Sequence, residues 1–417
     1  MELKVRSYEK IVMLVNKGVD IPNPWTLDIG NEVDPERISG NGVTIYPGCR
    51  IYGKNTVISA GAKIGYEGPV TIDDCQIGPN VELKAGYFNK AVFLEKANMG
   101  LGAHVREGCI LEEEAGGAHC VGLKQTILFP FVTLGSLINF CDCLMAGGTS
   151  RKDHSEVGSS YIHFNFTPDG DKTTASLIGD VPRGVMLNQP PIFLGGQGGM
   201  VGPLRVGYGN IIAAGTILRK DIDEENKLIF GKGMSGEIKD RNPNSYPSIS
   251  HVVGNNILYL ANLVALEQWY THVRQPFFNK QEFGDLVYAG AMDRLSSVKK
   301  ERITRLQAMA DKARTSIGKY PDRKQSEAGK KELYAAVETI REMFTKSPAN
   351  SLGAELRDSF LAAVNTHIQG GGQKYIDFIK GLSADTSKAG VKWLEAIIDS
   401  LCDEAQGLMP SLDLVIK

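Results

Sequence analysis

The sequence predicts a mainly β fold with added helices: a left-handed parallel β-helix followed by a C-terminal α-helical domain. Three observations predict it. Apolar residues recur at intervals of six in two stretches of the N-terminal half. The 47 glycines of the 417-residue chain are concentrated in its first 235 residues, which favours a fold with many tight turns. After residue 250 the apolar spacing becomes helical.

The first run of the six-residue period predicts stacked triangular coils. Its apolar members, with one slip of phase after Val70, are Ile45, Ile51, Ile58 (or Val57), Ile64, Val70, Ile77 and Leu83. Small residues and turn formers such as Pro47-Gly48 and Ala60-Gly61 lie between them. We expect the apolar residue of each flat side to point inward and the small residues to form the corners. Stacking then buries a continuous apolar column, which no single coil could do alone.

A second run closes the pattern at residues 201–222, with Val201, Val206, Ile212 and Leu218 as its apolar members. The period is broken at residues 112–126 and 146–175, which contain acids, glycines and Pro168. We predict loops or insertions there. Long excursions from a rigid scaffold often carry function.

Beyond a linker-like stretch, the C-terminal part predicts a helical bundle. Apolar residues three or four apart form the stripes Met292–Met309, Leu333–Phe344, Leu352–Ile368 and Val391–Leu401, and residues 253–270 are apolar nearly all round. The predicted organisation is a lead-in segment at 1–40, a β-helix domain with inserted loops at 41–235, a linker at 236–250 and a helical bundle at 251–417.

Composition excludes several classes of partner. A formal net charge of −2 gives no overall electrostatic reason to bind nucleic acid or an anionic membrane. The apolar run Ile11–Val15 is too short for a signal peptide or a membrane span. Seven cysteines without a CxxC pair favour a reducing compartment, so we expect a cytoplasmic protein.

The stretch from Tyr161 to Asp180 reads YIHFNFTPDGDKTTASLIGD. It resembles the acetyltransferase half of bifunctional N-acetylglucosamine-1-phosphate uridyltransferases, and the resemblance covers roughly residues 40–230. The resemblance implies a left-handed β-helix of hexapeptide repeats and a homotrimer. It also implies a transferase that moves an acetyl group from acetyl-CoA to an amino sugar or sugar phosphate in sugar-nucleotide metabolism.

Residue by residue, Asn165 and Lys172 match the family's Asn and Lys, which line the pocket for the acceptor sugar and acetyl-CoA. The family's Gly-His-Leu-x-Tyr-x-Gly-Asp motif, which supplies the catalytic His, has its best counterpart in GSLINFCD at residues 135–142. Ser136 therefore stands at the His position and Asn139 at the Tyr position. A serine does not accept protons at neutral pH as an imidazole does, so the sequence predicts a relocated base or a different function.

The irregular stretch offers the candidate base and its phosphate-binding partners. We predict His163 first and His154 second as the residue that deprotonates the acceptor. The residues predicted to bind the substrate are Asn165, Lys172, Arg151, Lys152, Asn139 and Tyr161. The alternative interpretation is a solvated loop whose histidines bond to the backbone.

Two other functions stay open at this stage. A β-helix that has lost catalysis would be a sugar-nucleotide-binding or scaffold trimer, which fits Ser136 and Asn139. A metal enzyme similar to γ-class carbonic anhydrases would use His104, His119 and His154. That family also has a closely following third His, and the next one here, His163, is too far along, so we do not expect a metal. We do not expect a pyrophosphorylase, because about 40 residues before the coils are too few for a nucleotide-binding α/β domain.

Overall fold

The structure is a computed structural model that describes residues 5–164, 170–231, 245–345, 351–369 and 374–414, together with residues 233, 236–238, 240 and 243. It consists of a left-handed parallel β-solenoid of about 11 turns followed by C-terminal helices, with 38% helix and 22% strand. The predicted fold class is therefore confirmed.

The strands of the solenoid are mostly short, because each flat side of a coil is only a few residues long. The first half contains β1 (Asp28–Ile29), β2 (Thr44–Ile45), β3 (Arg50–Tyr52), β4 (Val57–Ile58), β5 (Lys63–Ile64), β6 (Val70–Asp73), β7 (Gln76–Ile77), β8 (Glu82–Leu83), β9 (Gly86–Asn89), β10 (Ala91–Phe93), β11 (Asn98–Met99), β12 (Ala103–Val105), β13 (Cys109–Leu111) and β14 (Gly116–Gly117). The second half contains β15 (Val121–Leu128), β16 (Thr133–Leu134), β17 (Ile138–Met145), β18 (Gly148–Ser150), β19 (Asp153–His154), β20 (Glu156–Val157), β21 (Ile162–Phe164), β22 (Ser176–Ile178), β23 (Phe193–Leu194), β24 (Gly199–Val201), β25 (Arg205–Val206), β26 (Ile211–Ile212), β27 (Ile217–Leu218) and β28 (Leu228–Ile229).

Helices lie before, beside and after the solenoid. They are α1 (Tyr8–Lys17), α2 (Val181–Gly184), α3 (Ser250–Trp269), α4 (Gln275–Phe278), α5 (Gly284–Thr315), α6 (Lys324–Thr345), α7 (Ala354–Gln369), α8 (Tyr375–Lys380) and α9 (Ala384–Leu408). Short 3-10 turns occupy Pro24–Thr26 and Pro35–Arg37, and a π-helical turn at Tyr270–Arg274 joins α3 to α4. The helices α3, α5, α6, α7 and α9 contain the apolar stripes predicted from the sequence.

Successive coils stack in register and form three parallel faces. Face 1 contains β1, β3, β6, β9, β12, β15, β17, β21, β24 and β27. Face 2 contains β4, β7, β10, β13, β15, β17, β22 and β25. Face 3 contains β2, β5, β8, β11, β14, β16, β20, β23, β26 and β28. The long strands β15 and β17 turn the corner between faces 1 and 2 and so belong to both.

The solenoid interior is the apolar column that the repeat predicts. Its residues Ile45, Ile51, Ile58, Ile64, Val70, Ile77 and Leu83 are at most 1% exposed. In the closing run, Val206, Ile212 and Leu218 are also buried, but Met200 points inward in place of the predicted Val201. The phase of the period is therefore one residue earlier at β24 than the sequence predicts.

The prediction of an excursion at residues 112–126 is wrong. This stretch contains β14 and most of β15, both paired in register with the neighbouring coils. The glycines and acidic residues of this stretch lie at coil corners and in the short strand β14. The stretch therefore has the composition of a loop, although the coil is regular. A true departure from the coils is the antiparallel hairpin of β18 and β19.

The helices that the structure describes pack on face 2 and not on the outward sides of the other two faces. Helix α5 packs on β7, β10 and β13, and α3 packs on β22. As a result β10 and β13 are buried on both sides, whereas outward positions on face 1 and face 3 are mostly exposed or half-buried. Helices on face 2 thus add a second hydrophobic layer to the solenoid.

A buried ion cluster fastens the helices to the solenoid. Arg274 lies between the carboxylates of Glu112 and Glu113 and is 3.2 Å from Glu112 Oε2. The Tyr270 hydroxyl donates to Glu112 Oε1 over 2.5 Å, and the guanidinium lies 3.9 Å from the ring centre of Tyr375. Burial, opposed by Arg274 and reinforced by the neighbouring Glu113, raises the pKa of Glu112 from 4.5 to about 7.

The apolar column should tolerate shortening poorly. Replacing fully buried Leu83 by Ala should lower the free energy of unfolding by about 3 kcal/mol, through lost burial and the cavity left behind. The matched change Leu356→Ala removes a leucine that is 42% exposed on α7 and should cost less than about 0.5 kcal/mol. Urea denaturation measures both, and equal losses would contradict an interior role for Leu83.

The ion cluster should give stability a definite dependence on pH. Because the pKa of Glu112 is higher in the folded than in the unfolded chain, its contribution to stability is full below pH 4.5 and is lost as the pH rises through about 7. The glutamine of Glu112→Gln stays neutral at every pH. As the pH rises from 4.5 to above 7, the melting temperature of this variant should therefore increase by several degrees relative to that of the unmodified protein. The exposed Glu36→Gln is the control. If the melting temperatures of Glu112→Gln and of the unmodified protein change with pH in the same way, the raised pKa assigned to Glu112 is wrong.

Candidate functional site

A cavity of about 350 Å³ opens where the corner between faces 1 and 2 meets helix α5, and we call it the corner pocket. Positive charges outnumber negative ones around it. Five cations, Arg106, Lys124, Lys172, Arg302 and Arg305, and two carboxylates, Asp142 and Glu301, line the cavity, and a third carboxylate, Glu107, pairs with Lys124 over 2.8 Å. Such an excess of positive charge in a concave site favours an anionic ligand.

The coil register brings together residues that are far apart in the sequence. Lys124 and Cys141 occupy the same position in β15 and β17, and Arg106 precedes them by one coil. Two positions earlier in the same three coils, His104, Gly122 and Asn139 lie side by side and form an outward-facing row on face 1. Because Gly122 has no side chain, it leaves a shallow gap on face 1 beside Asn139.

Asp142 fixes the wall that the helix and the solenoid share. It turns the corner of β17 with a φ of 56°, a left-handed conformation that Asp adopts more readily than most residues. Its Oδ1 accepts a hydrogen bond of 2.8 Å from Arg302 Nη2, and its Oδ2 accepts one of 3.1 Å from the Thr174 hydroxyl. Both oxygens therefore have partners inside the protein.

His163, the first predicted base, lies in the wall of the corner pocket. Its Nδ1 donates to the carbonyl oxygen of Cys141, and its Nε2 accepts from the Ser176 hydroxyl over 2.8 Å. The ring is 6% exposed, and burial lowers its pKa, so it is held neutral. With both nitrogens engaged, His163 would have to release Ser176 before it could accept a proton from a ligand.

The other predicted substrate-binding residues divide between sites. Lys172 and Asn139 line the corner pocket with exposed side chains. The Tyr161 side chain is fully buried inside the solenoid, although its carbonyl oxygen accepts a hydrogen bond of 3.1 Å from Asn139 N. Asn165 lies outside the residues that the structure describes.

The hairpin of β18 and β19 carries Arg151, Lys152 and His154 away from the corner pocket. Arg151 Nη1 donates to the carbonyl oxygens of Glu114 and Phe131 over 3.1 and 2.9 Å. Lys152 is exposed, and His154 is half-buried with Nε2 at 4.0 Å from a Glu156 oxygen. The structure therefore does not bring His154 and His163 to one site within the chain.

A serine–histidine pair was missed by the sequence analysis. At the corner between faces 3 and 1, His119 Nδ1 lies 2.8 Å from Ser136 Oγ. The two residues are 17 positions apart, close to the about 18 residues of one coil, and Leu137 N donates to the His119 carbonyl over 3.0 Å. Ser136 is the residue at the family's His position, so an imidazole stands one coil away from it. The coil spacing was the signal that could have found this pair.

A second cavity, of about 370 Å³, lies on face 3 between His119 and Arg151, and we call it the face-3 groove. Its floor is made of small residues: Gly100, Gly116, Gly117 and Ala118. Lys84, which pairs with Glu67 over 3.0 Å, adds a cation to one side. A long, thin ligand could lie close to the backbone there.

The three histidines of the metal hypothesis do not converge. His104 is on face 1, His119 at a corner and His154 on the hairpin. Across the described ranges, no group of three or more His, Cys, Asp or Glu residues is arranged to hold a metal ion.

A membrane span has a recognisable form: a long helix made almost wholly of apolar residues. Within the part of the chain that the structure describes, no helix meets this description.

Comparison with known proteins supports the resemblance seen in the sequence. The chain is 28% identical over 222 residues to a protein named Bifunctional protein GlmU from Thermotoga maritima, covering 53% of this chain and 43% of that protein. It is 30% identical over 219 residues to the Bifunctional protein GlmU of Pelobacter propionicus, covering 52% and 42%. It is 27% identical over 198 residues to the Bifunctional protein GlmU of Trichlorobacter lovleyi, which covers 47% of this chain and 38% of that protein. No family profile matches the chain.

These matches cover the acetyltransferase-like region, and with the β-solenoid they confirm the resemblance to the acetyltransferase β-helix of that family. The matched stretch is less than half the length of each of these relatives.

The buried His163 should make the protein sensitive to acid. Because burial lowers its pKa below 6.5, the unfolded chain takes up a proton first, and the stability that depends on neutral His163 is lost as the pH falls below 6.5. Between about pH 8 and pH 5.5 the His163→Gln variant should lose less stability than the unmodified protein in urea denaturation. Exposed His104→Gln is the matched control. An unchanged pH slope in His163→Gln would argue against a buried neutral imidazole.

Proposed function

We propose that the protein is an acyltransferase that moves an acetyl group from acetyl-CoA to the amine of an amino-sugar phosphate in sugar-nucleotide metabolism. One observation carries the proposal. Face 1 has the His119–Ser136 pair at one edge and the cations of the corner pocket at the other. The five steps from Ser136 to Cys141 span at most about 17 Å, and less here because Leu137 turns the corner before β17 with a φ of 59°. A sugar phosphate bridges this distance once long side chains reach in from the cationic edge. The relatives named Bifunctional protein GlmU support the same class of reaction.

The phosphate end of the acceptor is assigned to the corner pocket. Arg106, Lys124 and Lys172 come from three coils and line one cavity. Charge-assisted hydrogen bonds from such groups to phosphate oxygens are short and strong. Asn139, between them and Ser136, has donors and an acceptor for sugar hydroxyls.

The amine end of the acceptor is assigned to Ser136 and His119. The amine nitrogen attacks the thioester carbonyl carbon, the new C–N bond forms, and the C–S bond breaks to release the thiolate, which becomes the thiol when His119 passes on the proton it has accepted. The amine proton passes to Ser136 Oγ as the serine proton moves to His119 Nδ1 over the 2.8 Å hydrogen bond. The imidazole thus remains the proton acceptor, displaced by one coil from the family's position.

The thioester is assigned to the face-3 groove, which ends at His119. Its glycine and alanine floor leaves room for an extended pantetheine chain, and Lys84 and Arg151 stand beside it for coenzyme phosphates. The proposed base therefore lies where the two substrates would meet.

We further propose a homotrimer in the cytoplasm. None of the described helices covers face 1 or face 3, and face 3 carries a ladder of exposed apolar residues, Phe193, Ile211 and Leu228. Exposed apolar ladders of this kind favour burial between subunits, and a three-fold arrangement would close around them. All seven cysteines are free thiols, which fits a reducing compartment.

A catalytically inactive sugar-nucleotide-binding trimer is the second candidate. The engagement of both His163 nitrogens and the serine at the family's His position favour it. A measurable dissociation constant for a sugar nucleotide, with no turnover of any thioester, would support this candidate over the acyltransferase.

The proton relay predicts which variants lose activity. With acetyl-CoA and glucosamine 1-phosphate, thiol release should fall by about 100-fold or more in His119→Ala and Ser136→Ala, since general acid–base groups contribute factors of that order. His251→Ala, which removes a half-exposed histidine on α3, should leave the rate unchanged.

Three outcomes separate the candidates. Selective loss in the two relay variants supports the mechanism. No thiol release across a panel of amino-sugar phosphates, with no thermal shift by coenzyme A, would refute acyl transfer. Stoichiometric zinc or iron in the purified protein would instead revive the metal enzyme.

A further inference from the structure

One glycine on face 1 stands where the protein itself does not call for a glycine. Gly122 lies inside β15, and a glycine inside a strand is less favourable than a residue with a side chain. In the described strands, each of the other glycines either has a positive φ or would bring a Cβ within 3.1 Å of another atom. A Cβ on Gly122 would instead lie 3.7 Å from the Ile138 carbonyl oxygen and 3.8 Å from Asn139 Oδ1, which are ordinary contacts. A glycine in such a place often marks the close approach of a ligand to the backbone.

The missing side chain opens a cleft across the outward row of face 1. His104 and Asn139, the exposed neighbours of Gly122 in the two adjacent coils, are two strand spacings apart, or about 9.6 Å. The atoms of the two walls take up one contact distance of about 3.6 Å, which leaves about 6 Å for a ligand. We call this space the Gly122 gap. Its floor is the backbone of Gly122, so a ligand there lies directly against the peptide.

The two walls of the Gly122 gap differ in chemistry. On one side the His104 ring packs edge-to-face on the Tyr87 ring, with centroids 5.4 Å apart and planes at 82°, which fixes the imidazole in place. On the other side the Asn139 side-chain oxygen accepts from the Cys141 thiol over 3.2 Å, and its N–H groups can donate to ligand hydroxyls. An aromatic wall opposite an amide wall suits a ring that is apolar on its faces and carries hydroxyls at its edge. A hexopyranose has these properties.

The Gly122 gap also lies between the two ends of the proposed active site. Along one coil, His119 is three residues before Gly122, and Lys124 is two residues after it. The proposed function assigns the acceptor amine to His119 and Ser136, and the acceptor phosphate to the corner pocket that Lys124 lines. The part of the acceptor that joins its amine to its phosphate is the sugar ring.

We infer that the Gly122 gap binds the sugar ring of the acceptor, so that Gly122 determines which acceptors fit. The inference rests on the proposed function for the identity of the acceptor and deepens it by assigning the subsite for the ring. The ring lies against the backbone of Gly122, with an apolar face on His104 and hydroxyls toward Asn139. Any larger side chain at position 122 would occupy the space that the ring needs.

The test compares two probes on the full chain, both of which carry an amine and a phosphate. Glucosamine 1-phosphate has a pyranose ring, and 2-aminoethyl phosphate has none. In calorimetric titrations, Gly122→Val should weaken binding of glucosamine 1-phosphate by about tenfold or more, because the new side chain fills the gap. Binding of 2-aminoethyl phosphate should change by less than about twofold, since this probe has no ring to exclude.

Gly122→Val should fold without a loss of melting temperature, because valine is favoured in strands and its Cβ has no contact shorter than 3.7 Å. The matched control is Thr71→Leu, which adds bulk to the same outward row three coils earlier and should leave the affinity for both probes unchanged. His104→Ala should weaken binding of glucosamine 1-phosphate by about threefold or more, and His104→Phe, which keeps a flat ring, should restore most of it.

Several results would overturn the inference. One is an equal loss of affinity for both probes in Gly122→Val, and another is unchanged or absent binding of glucosamine 1-phosphate. If Gly122→Val instead changes the oligomeric state in light scattering and keeps its affinity for glucosamine 1-phosphate, the gap receives a second copy of the chain and not a sugar. If the unmodified protein binds only the probe with the ring, affinity depends on the ring, and the contrast between Gly122→Val and Thr71→Leu decides the question.

The inference and the proposed function can fail separately. Binding of glucosamine 1-phosphate that Gly122→Val abolishes, without any thiol release from acetyl-CoA, would support the inference and refute the acyltransferase. Thiol release that requires His119 and keeps the same KM for glucosamine 1-phosphate in Gly122→Val would support the acyltransferase and refute the inference.

Discussion

The in-register stacking of successive coils is the constraint on which the rest of this structure depends. Each coil hydrogen-bonds to the next through parallel strands, so a residue keeps its place on a face or corner from coil to coil. The same register that buries the apolar column also lines up outward side chains. It sets His119 above Ser136 and places Lys124 beside Cys141. The solenoid therefore converts a spacing in the sequence into a row of functional groups in space.

The helices change what the solenoid can do. By covering face 2 they remove one flat side from contact with other molecules, and the Arg274 cluster ties them there through two buried carboxylates. Desolvation offsets much of the attraction within a buried ion pair of this kind, so its net contribution to stability is small. Its consequence for function is positional. Helix α5 is held at the corner where Asp142 projects, and there it becomes one wall of the corner pocket.

The two histidines near face 1 lie in different environments. His163 is enclosed, and its two nitrogens are engaged by Cys141 and Ser176, which suits a fixed part of the wall. His119 is exposed and bonded to a side-chain hydroxyl, which leaves the pair accessible to a ligand. Of these two histidines, the accessible His119 is better placed for proton transfer, because burial disfavours the protonated, charged form of an imidazole.

The sequence by itself determined the scaffold and the helical nature of the C-terminal part, since both depend on local periodicity. The six-residue spacing from Ile45 to Leu83 predicts the coils from local sequence alone. The apolar stripes of α5 and α6 likewise predict those helices. It also named Lys172 and Asn139, which the structure places in the lining of the corner pocket. It took residues 112–126 for an excursion, because corner glycines and acids have the composition of a loop. Only the tertiary structure decided that His119 meets Ser136 and that Arg302 meets Asp142, 160 positions away. The His119–Ser136 contact follows from the coil spacing once the coil register is known, whereas the docking of α5 is set by long-range packing and leaves no periodic trace in the chain.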